Sequence, residues 1–447
     1  MKQKKTNARE IFLQRRYGVS LGRRYALAAA SVVLMGMLGC SAINGDNTAV
    51  AESYQPRTES PMSNPTAKPD TKLVAANTKF GFKLFSEILK SDTNTNVFVS
   101  PSSIAMALAM TYNGANGSTQ QAIAHTLELQ GLSLQQINSS NAALKALLEN
   151  PDPQVKLAIA NSLWANQDAT LNPDFLQRNR EFYQAKVTNL DFNDANAPNI
   201  INTWVKDNTN GKIEEIVQEL SPDQLLLLIN AIYFKGNWTE KFDKNQTKEY
   251  PFFAASGQQK PHPMMSQNGD YKYLENEQFQ AISLPYGKDG RISFYVFLPK
   301  KDSPKKDSNL TAFYSTLNAE NWDKWMTQFS KRQGSIRLPR LKMDYEITLN
   351  DALKALGMGE AFSNKADFSG IAKNLSISEV KHKTFVEVNE EGTEAAAATS
   401  VEMVLTSAFE PAIKPFEMIV DRPFFACIRD NQTGSILFMG SIAKPQS

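Results

Sequence analysis

Glu390-Glu391-Gly392-Thr393-Glu394-Ala395-Ala396-Ala397-Ala398-Thr399-Ser400 is the most unusual stretch of this 447-residue chain. Propensity alone makes it a short helix, because alanine and glutamate are among the best helix formers. Its surroundings argue for more. It follows a strand-like run at residues 384–389, and Gly392 supplies backbone freedom beside that strand. The side chains after Gly392 are small enough to slide between strands of an existing sheet. Beyond them Val401, Glu402, Met403, Val404, Leu405, Thr406, Ser407, Ala408 and Phe409 form a β-prone, partly apolar run, which Pro411 and Pro415 fence off.

Further strand-like runs occupy residues 155–165, 292–298, 335–341, 416–420, 424–428 and 435–442, and a hairpin turn at residues 429–434 joins the last two. Toward the N-terminus helical spacing takes over. Leu73, Phe80, Leu84 and Ile88, with Gly81 and Phe85 beside them, predict an amphipathic first helix packed on the core. Val97-Phe98-Val99-Ser100-Pro101 reads as a short strand running into a helix, with Ser100 as N-cap and Pro101 at its first position. Residues 105–112 continue that helix almost wholly apolar, so it is expected to be buried on every side. Leu349, Leu353 and Leu356 before Gly357 predict a helix with a stop signal. Helices dominate the first half and strands the second, without strict βαβ alternation, which favours the α+β class.

Hydrophobic residues at 42% and charged residues at 21% are the composition of a packed globule. The near balance of 48 basic and 46 acidic residues gives no sign of a nucleic-acid partner. Lys300, Lys301, Lys305 and Lys306 are interleaved with Asp302 and Asp307 and read as a solvated loop. Enzyme signatures are missing: there is no Gly-x-Ser-x-Gly elbow, no phosphate-binding Gly-x-x-x-x-Gly-Lys motif and no His-Glu-x-x-His. His125, His262 and His382 lack partners at metal-ligand spacing. Cys40 and Cys427, the two cysteines, exclude a disulfide scaffold.

The segment from Glu390 to Thr399 resembles the hinge consensus of the serpin family at every position. Other blocks similar to that family follow in the right order. They are Asn96-Val97-Phe98-Val99-Ser100-Pro101-Ser102-Ser103-Ile104, Asn230-Ala231-Ile232-Tyr233-Phe234-Lys235-Gly236-Asn237-Trp238, Leu338-Pro339-Arg340, Val380-Lys381-His382-Lys383, and Asp421-Arg422-Pro423-Phe424 with Phe438-Met439-Gly440. The resemblance covers residues 71–447. It implies a single α+β domain with three β-sheets, about nine helices and an exposed reactive-centre loop.

The resemblance also implies a suicide-type inhibitor of serine or cysteine proteases, not an enzyme. The protease attacks the loop, forms an acyl-enzyme, and is trapped when the cut loop inserts into the central sheet. The 14 residues from Thr393 to Thr406 correspond to about 45 Å of strand at roughly 3.3 Å per residue. Counted from Glu390 as the family counts, the attacked peptide is Thr406–Ser407, with Leu405–Thr406 and Ser407–Ala408 as alternatives. No Lys or Arg lies between Gly392 and Ile413, which disfavours trypsin-like targets and fits elastase-, subtilisin- or chymotrypsin-like ones. Ser100, Ser103, Asn230 and His382 match the family's shutter, where polar side chains hold the central strands. Trp238 matches the breach beneath the hinge, and Arg340 with Glu390 matches an ion pair there, which contributes at most about 1 kcal/mol if partly exposed. No cofactor is implied, and the expected state is a monomer. The alternative is a non-inhibitory serpin acting as a binding or storage protein.

Residues 1–39 carry eight basic side chains and one acidic, then an apolar run of about fifteen residues that is too short to span a bilayer. The run ends in Met37-Leu38-Gly39-Cys40, which resembles a bacterial lipobox, so residues 1–39 are expected to be a lipoprotein signal peptide and Cys40 its lipidated residue; a plain secretory signal is the alternative. Arg15-Arg16 and Arg23-Arg24 leave Sec or twin-arginine export open. Residues 40–70, with Pro56, Pro61, Pro65 and Pro69, read as a flexible tether, and residues 71–447 as the folded domain. The product would be exported and held at a membrane or cell surface by lipid, or be extracellular or periplasmic. Without the leader the chain has 40 basic and 45 acidic residues, so the near neutrality hides a mildly acidic domain.

Overall fold

In the computed structural model the first helix, α1 (Thr71–Ser91), forms where the apolar spacing predicts it, and its Leu73, Phe80, Leu84, Phe85 and Ile88 are buried. The structure describes residues 68–91, 95–149, 151–301, 310–393 and 414–446. All lie within the compact unit Pro61–Ser447. The leader, Cys40, the reactive loop from Glu394 onward and its three candidate bonds lie outside the described residues.

After β1 (Val97–Val99) the chain enters α2 (Pro101–Tyr112), which is buried from Pro101 through Thr111, as its almost wholly apolar run from Ala105 leads one to expect. Ser100 holds the N-cap position, but its hydroxyl makes no capping bond. Next come α3 (Gly117–Thr126), α4 (Leu134–Glu149), β2 (Val155–Asn166), α5 (Pro173–Tyr183), β3 (Lys186–Leu190), α6 (Ala197–Asn208) and β4 (Leu226–Asn237). β5 (Lys248–Phe253), β6 (Gln259–Glu275), β7 (Phe279–Tyr286) and β8 (Ile292–Pro299) form a run of strands. α7 (Leu310–Thr316), α8 (Ala319–Gln328), β9 (Ser330–Pro339), β10 (Leu341–Thr348) and α9 (Asn350–Leu353) follow. β11 (Glu379–Val388), the two-residue β12 (Gly392–Thr393), β13 (Phe416–Ile419), β14 (Phe424–Asp430) and β15 (Ile436–Ile442) complete the chain.

Two local expectations are corrected. The helix through Leu356 stops at Leu353 and continues as a wider turn in which Gly357 takes φ 113°, a conformation that suits glycine. The strand expected over 335–341 is two strands parted at Arg340: its N–H still bonds to the Pro263 carbonyl of β6, and from Leu341 the chain pairs with β11 instead.

The described strands form a nine-stranded sheet and a six-stranded one, and the larger divides along β6 into two fused sheets, three in all. Residues 264–273 of β6 pair with β9, and residues 272–275 pair with β7. One of the fused sheets continues through β8, β14 and β15 to β1, and the other carries β5 and β13. The separate sheet has the order β10-β11-β4-β2-β3, with β11 and β4 as parallel central neighbours. β4 is buried on both faces. Its Leu226, Leu228, Ile232 and Phe234 join the main core, while Leu227, Ile229, Ala231 and Tyr233 join a second core with Ile201 and Val205 of α6. Burial on both faces explains a near-continuous apolar sequence over Leu226–Phe234, interrupted at Asn230, where alternation would mark a half-exposed strand.

Candidate functional site

The central strands β4 and β11 run together only as far as the pair Phe385–Tyr233. Beyond it a tight turn at 389–392, closed by reciprocal Asn389 and Gly392 backbone bonds of 2.8 and 3.1 Å, sends the chain back toward the gap. β12 then pairs antiparallel with the end of β4, Gly392 opposite Asn237 and Thr393 opposite Gly236. Gly392 has φ 135°, and a Cβ there would lie 2.1 Å from the Gly236 carbonyl oxygen, so both the dihedral and the close approach require glycine. Thr393 is fully buried, and its hydroxyl lies 2.9 Å from the Tyr286 hydroxyl.

Both glutamates before Gly392 are buried and paired. The Arg340 Nε–H donates to the two Glu390 carboxylate oxygens at 2.8 and 3.1 Å, and Thr247 donates to the same carboxylate. Burial opposes the charge on Glu390, but the Arg340 and Thr247 bonds outweigh it and hold the carboxyl below its usual range. The pair is partly exposed at its basic end alone, since the Arg340 side chain is 38% exposed and that of Glu390 2%. Lys241 donates to Glu391 at 2.7 Å and Lys244 lies 3.1 Å from its other oxygen. The Lys241 bond, against the cost of burial and helped by Lys244, keeps that carboxyl depressed as well. Lys244, Arg340, Leu341, Lys342 and residues 387–391 line a cavity of about 300 Å³.

Trp238 sits beneath this turn. Its indole N–H donates to the Asn389 carbonyl at 2.8 Å, and its backbone N–H donates to the Glu391 carbonyl at 2.9 Å. Its ring stacks on Tyr286 at 4.2 Å with 9° between planes.

Ser100, Ser103, Asn230 and His382 come together lower in the same sheet, where His382 of β11 stands opposite Asn230 of β4. The His382 Nε2 accepts the Ser100 backbone N–H at 3.0 Å, so Nδ1 carries the proton and donates to the Asn230 side-chain oxygen. The Asn230 amide nitrogen donates to the Ser103 hydroxyl and to the Asn161 side-chain oxygen on β2. One network thus joins α2, β2, β4 and β11. Ser100 contributes through its backbone, while its buried hydroxyl has no partner among the described residues. Complete burial lowers the His382 pKa to about 3, and the bond to Asn230 offsets only part of this.

Sequence reasoning missed Asn161, Lys241, Lys244, Thr247 and Tyr286. Asn161 left a signal, an amide within the apolar run 155–165; Tyr286 left none, since one tyrosine at a strand end is unremarkable. Among the described residues no group of three His, Cys, Asp or Glu is placed to hold a metal ion. Cys427 is a buried thiol of the core, and His125 stands apart on the surface.

Comparison with known proteins gives one consistent result. The family model described as serpin (serine protease inhibitor) matches residues 75–445. The leukocyte elastase inhibitor of Bos taurus is 36% identical over 384 residues, covering 83% of this chain and 99% of its own. The native-state crystal structure of tengpin, a thermophilic serpin, is 32% identical with a TM-score of 0.77, covering 85% of this chain and 95% of its own. Human thyroxine-binding globulin complexed with thyroxine is 28% identical with a TM-score of 0.77, covering 84% and 99%.

Proposed function

Because the chain belongs to the serpin family, we propose that it is a suicide-type protease inhibitor that traps its target by inserting the cleaved loop between β4 and β11. The observation that carries this reading is β12, a strand of two residues already paired with β4 in the gap where β4 and β11 part. Continued in the same register, the following residues would stand opposite β4 in turn: Ala395 at Phe234, Ala397 at Ile232 and Thr399 at Asn230. Small side chains suit a strand that must enter a finished sheet, because each position it takes is already bordered by packed residues. Insertion would separate Asn230 from His382, so the polar network between them would serve as the shutter and the Trp238 and Arg340 cluster as the breach.

The loop's lack of basic residues and the similarity to an elastase inhibitor support an elastase- or subtilisin-type target, cut at Thr406–Ser407 or the bond on either side. The lipobox-like Met37-Leu38-Gly39-Cys40 supports export and attachment of the domain to a membrane through Cys40. Incubation with pancreatic elastase and with trypsin, resolved on denaturing gels, tests the reading: a covalent complex is expected with elastase and none with trypsin. Complexes with trypsin alone would refute the specificity, and complexes with neither enzyme nor subtilisin would refute inhibition of this class. Mass spectrometry of the released fragment identifies the bond.

A further inference from the structure

The Tyr286 hydroxyl belongs to none of the ion pairs around the hinge, yet it meets the last residue of β12. Its ring lies over Gly236, where a Cβ would come within 3.0 Å of it, and the absence of a side chain there opens the path toward β12. The ring is fixed on two more sides, stacked on Trp238 at 4.2 Å and edge-on to Phe234 at 5.2 Å. Tyr286 and Thr393 are both fully buried, so each hydroxyl has lost water and has the other, 2.9 Å away, as its side-chain partner. We infer that Tyr286 is a positioning residue of the inhibitory reaction, reading the hydroxyl of residue 393 and thereby setting the register in which the loop enters the sheet.

This inference rests on the proposed insertion mechanism and adds to it. A buried hydroxyl deprived of its partner is costly, whereas removal of both partners together is close to neutral. Val at position 393 would keep the shape of Thr but strand the tyrosine hydroxyl. Phe at position 286 would keep the stacking on Trp238 but strand the threonine hydroxyl. A slower or misregistered start to insertion gives the protease time to complete hydrolysis, so the expected readout is the stoichiometry of inhibition, the number of inhibitor molecules consumed per protease trapped.

The experiment measures that stoichiometry with pancreatic elastase, or with subtilisin if elastase forms no complex, for the wild type and for Tyr286→Phe, Thr393→Val, Thr393→Ser and the double variant Tyr286→Phe/Thr393→Val. Each of the Phe and Val single variants is expected to raise it about fivefold. The Ser variant and the double variant should return toward wild type while association rates stay unchanged. A purely structural role would lower melting temperatures without this compensation. Unchanged stoichiometry in Tyr286→Phe, or a double variant as poor as the product of the singles, overturns the inference while leaving the inhibitory reading in place. Failure of the wild type to trap either protease overturns both.

Discussion

Gly392 carries the tightest constraint at the hinge, with a positive φ of 135° and the Gly236 carbonyl where a side chain would begin. Gly392→Ala should lower stability in urea by about 2 kcal/mol or more, since the strain and the clash act together. Arg340→Ala should cost more than an exposed ion pair would, about 2 kcal/mol, because it leaves the Glu390 carboxylate buried with Thr247 as its remaining side-chain partner. His382 gives a pH signature. Its folded pKa of about 3 lies below the unfolded value, so the unfolded chain binds the extra proton between about pH 6.5 and 3. The contribution of His382 to stability is therefore full above pH 6.5 and lost as pH falls toward 3, by on the order of 4 kcal/mol. Denaturation of His382→Gln across that window should show a flatter acid dependence than wild type, and an identical slope would refute the assignment. Gly392, the Arg340–Glu390 pair and Ser100, Ser103, Asn230 and His382 were legible in the sequence because each lies in a block that resembles the serpin family. The lysines on Glu391 were not, since nothing in a run of surface-like charges says which one bends inward.

Among the elements, β4 and β11 set what the site can do. They are parallel neighbours without a strand between them over residues 379–385 of β11, and they part where β12 begins. Parallel neighbours that part at one end leave room for an antiparallel strand, and the chain that leaves β11 turns back toward that room. Thr393→Arg should block it, because a guanidinium would have to occupy a fully buried position beside Tyr286. The variant is expected to be cut by elastase as a substrate without forming the covalent complex, and retained inhibition would contradict the insertion path. The strands were legible as apolar runs, and their ends shifted by a few residues where tertiary bonds decide. The division at Arg340 is an example: the 335–341 pattern continues through it, but there the chain passes from pairing with β6 to pairing with β11. The turn after Leu353 is another, set by packing and Gly357 and not by helix propensity.

For the whole molecule, the class and the succession of helices and strands were legible because family-like blocks and apolar spacing agreed across the chain. The fusion of two sheets along β6 was not, since a seventeen-residue strand shared by different partners leaves no mark in its own pattern. The proposed attachment to a membrane would belong to the full chain: if Cys40 carries the lipid, Cys40→Ser should move the protein from the membrane fraction to the soluble fraction, and unchanged partitioning would argue against a lipid anchor at that cysteine. The central claim concerns the sheet, and heat tests it most directly. Loop cleavage by a protease that is not itself trapped, followed by comparison of intact and cut protein in a thermal melt, should show a marked rise in unfolding temperature, as the added strand pairs with β4 and β11. An unchanged or lowered melting temperature in the cut protein would contradict insertion and favour a binding protein of the same fold.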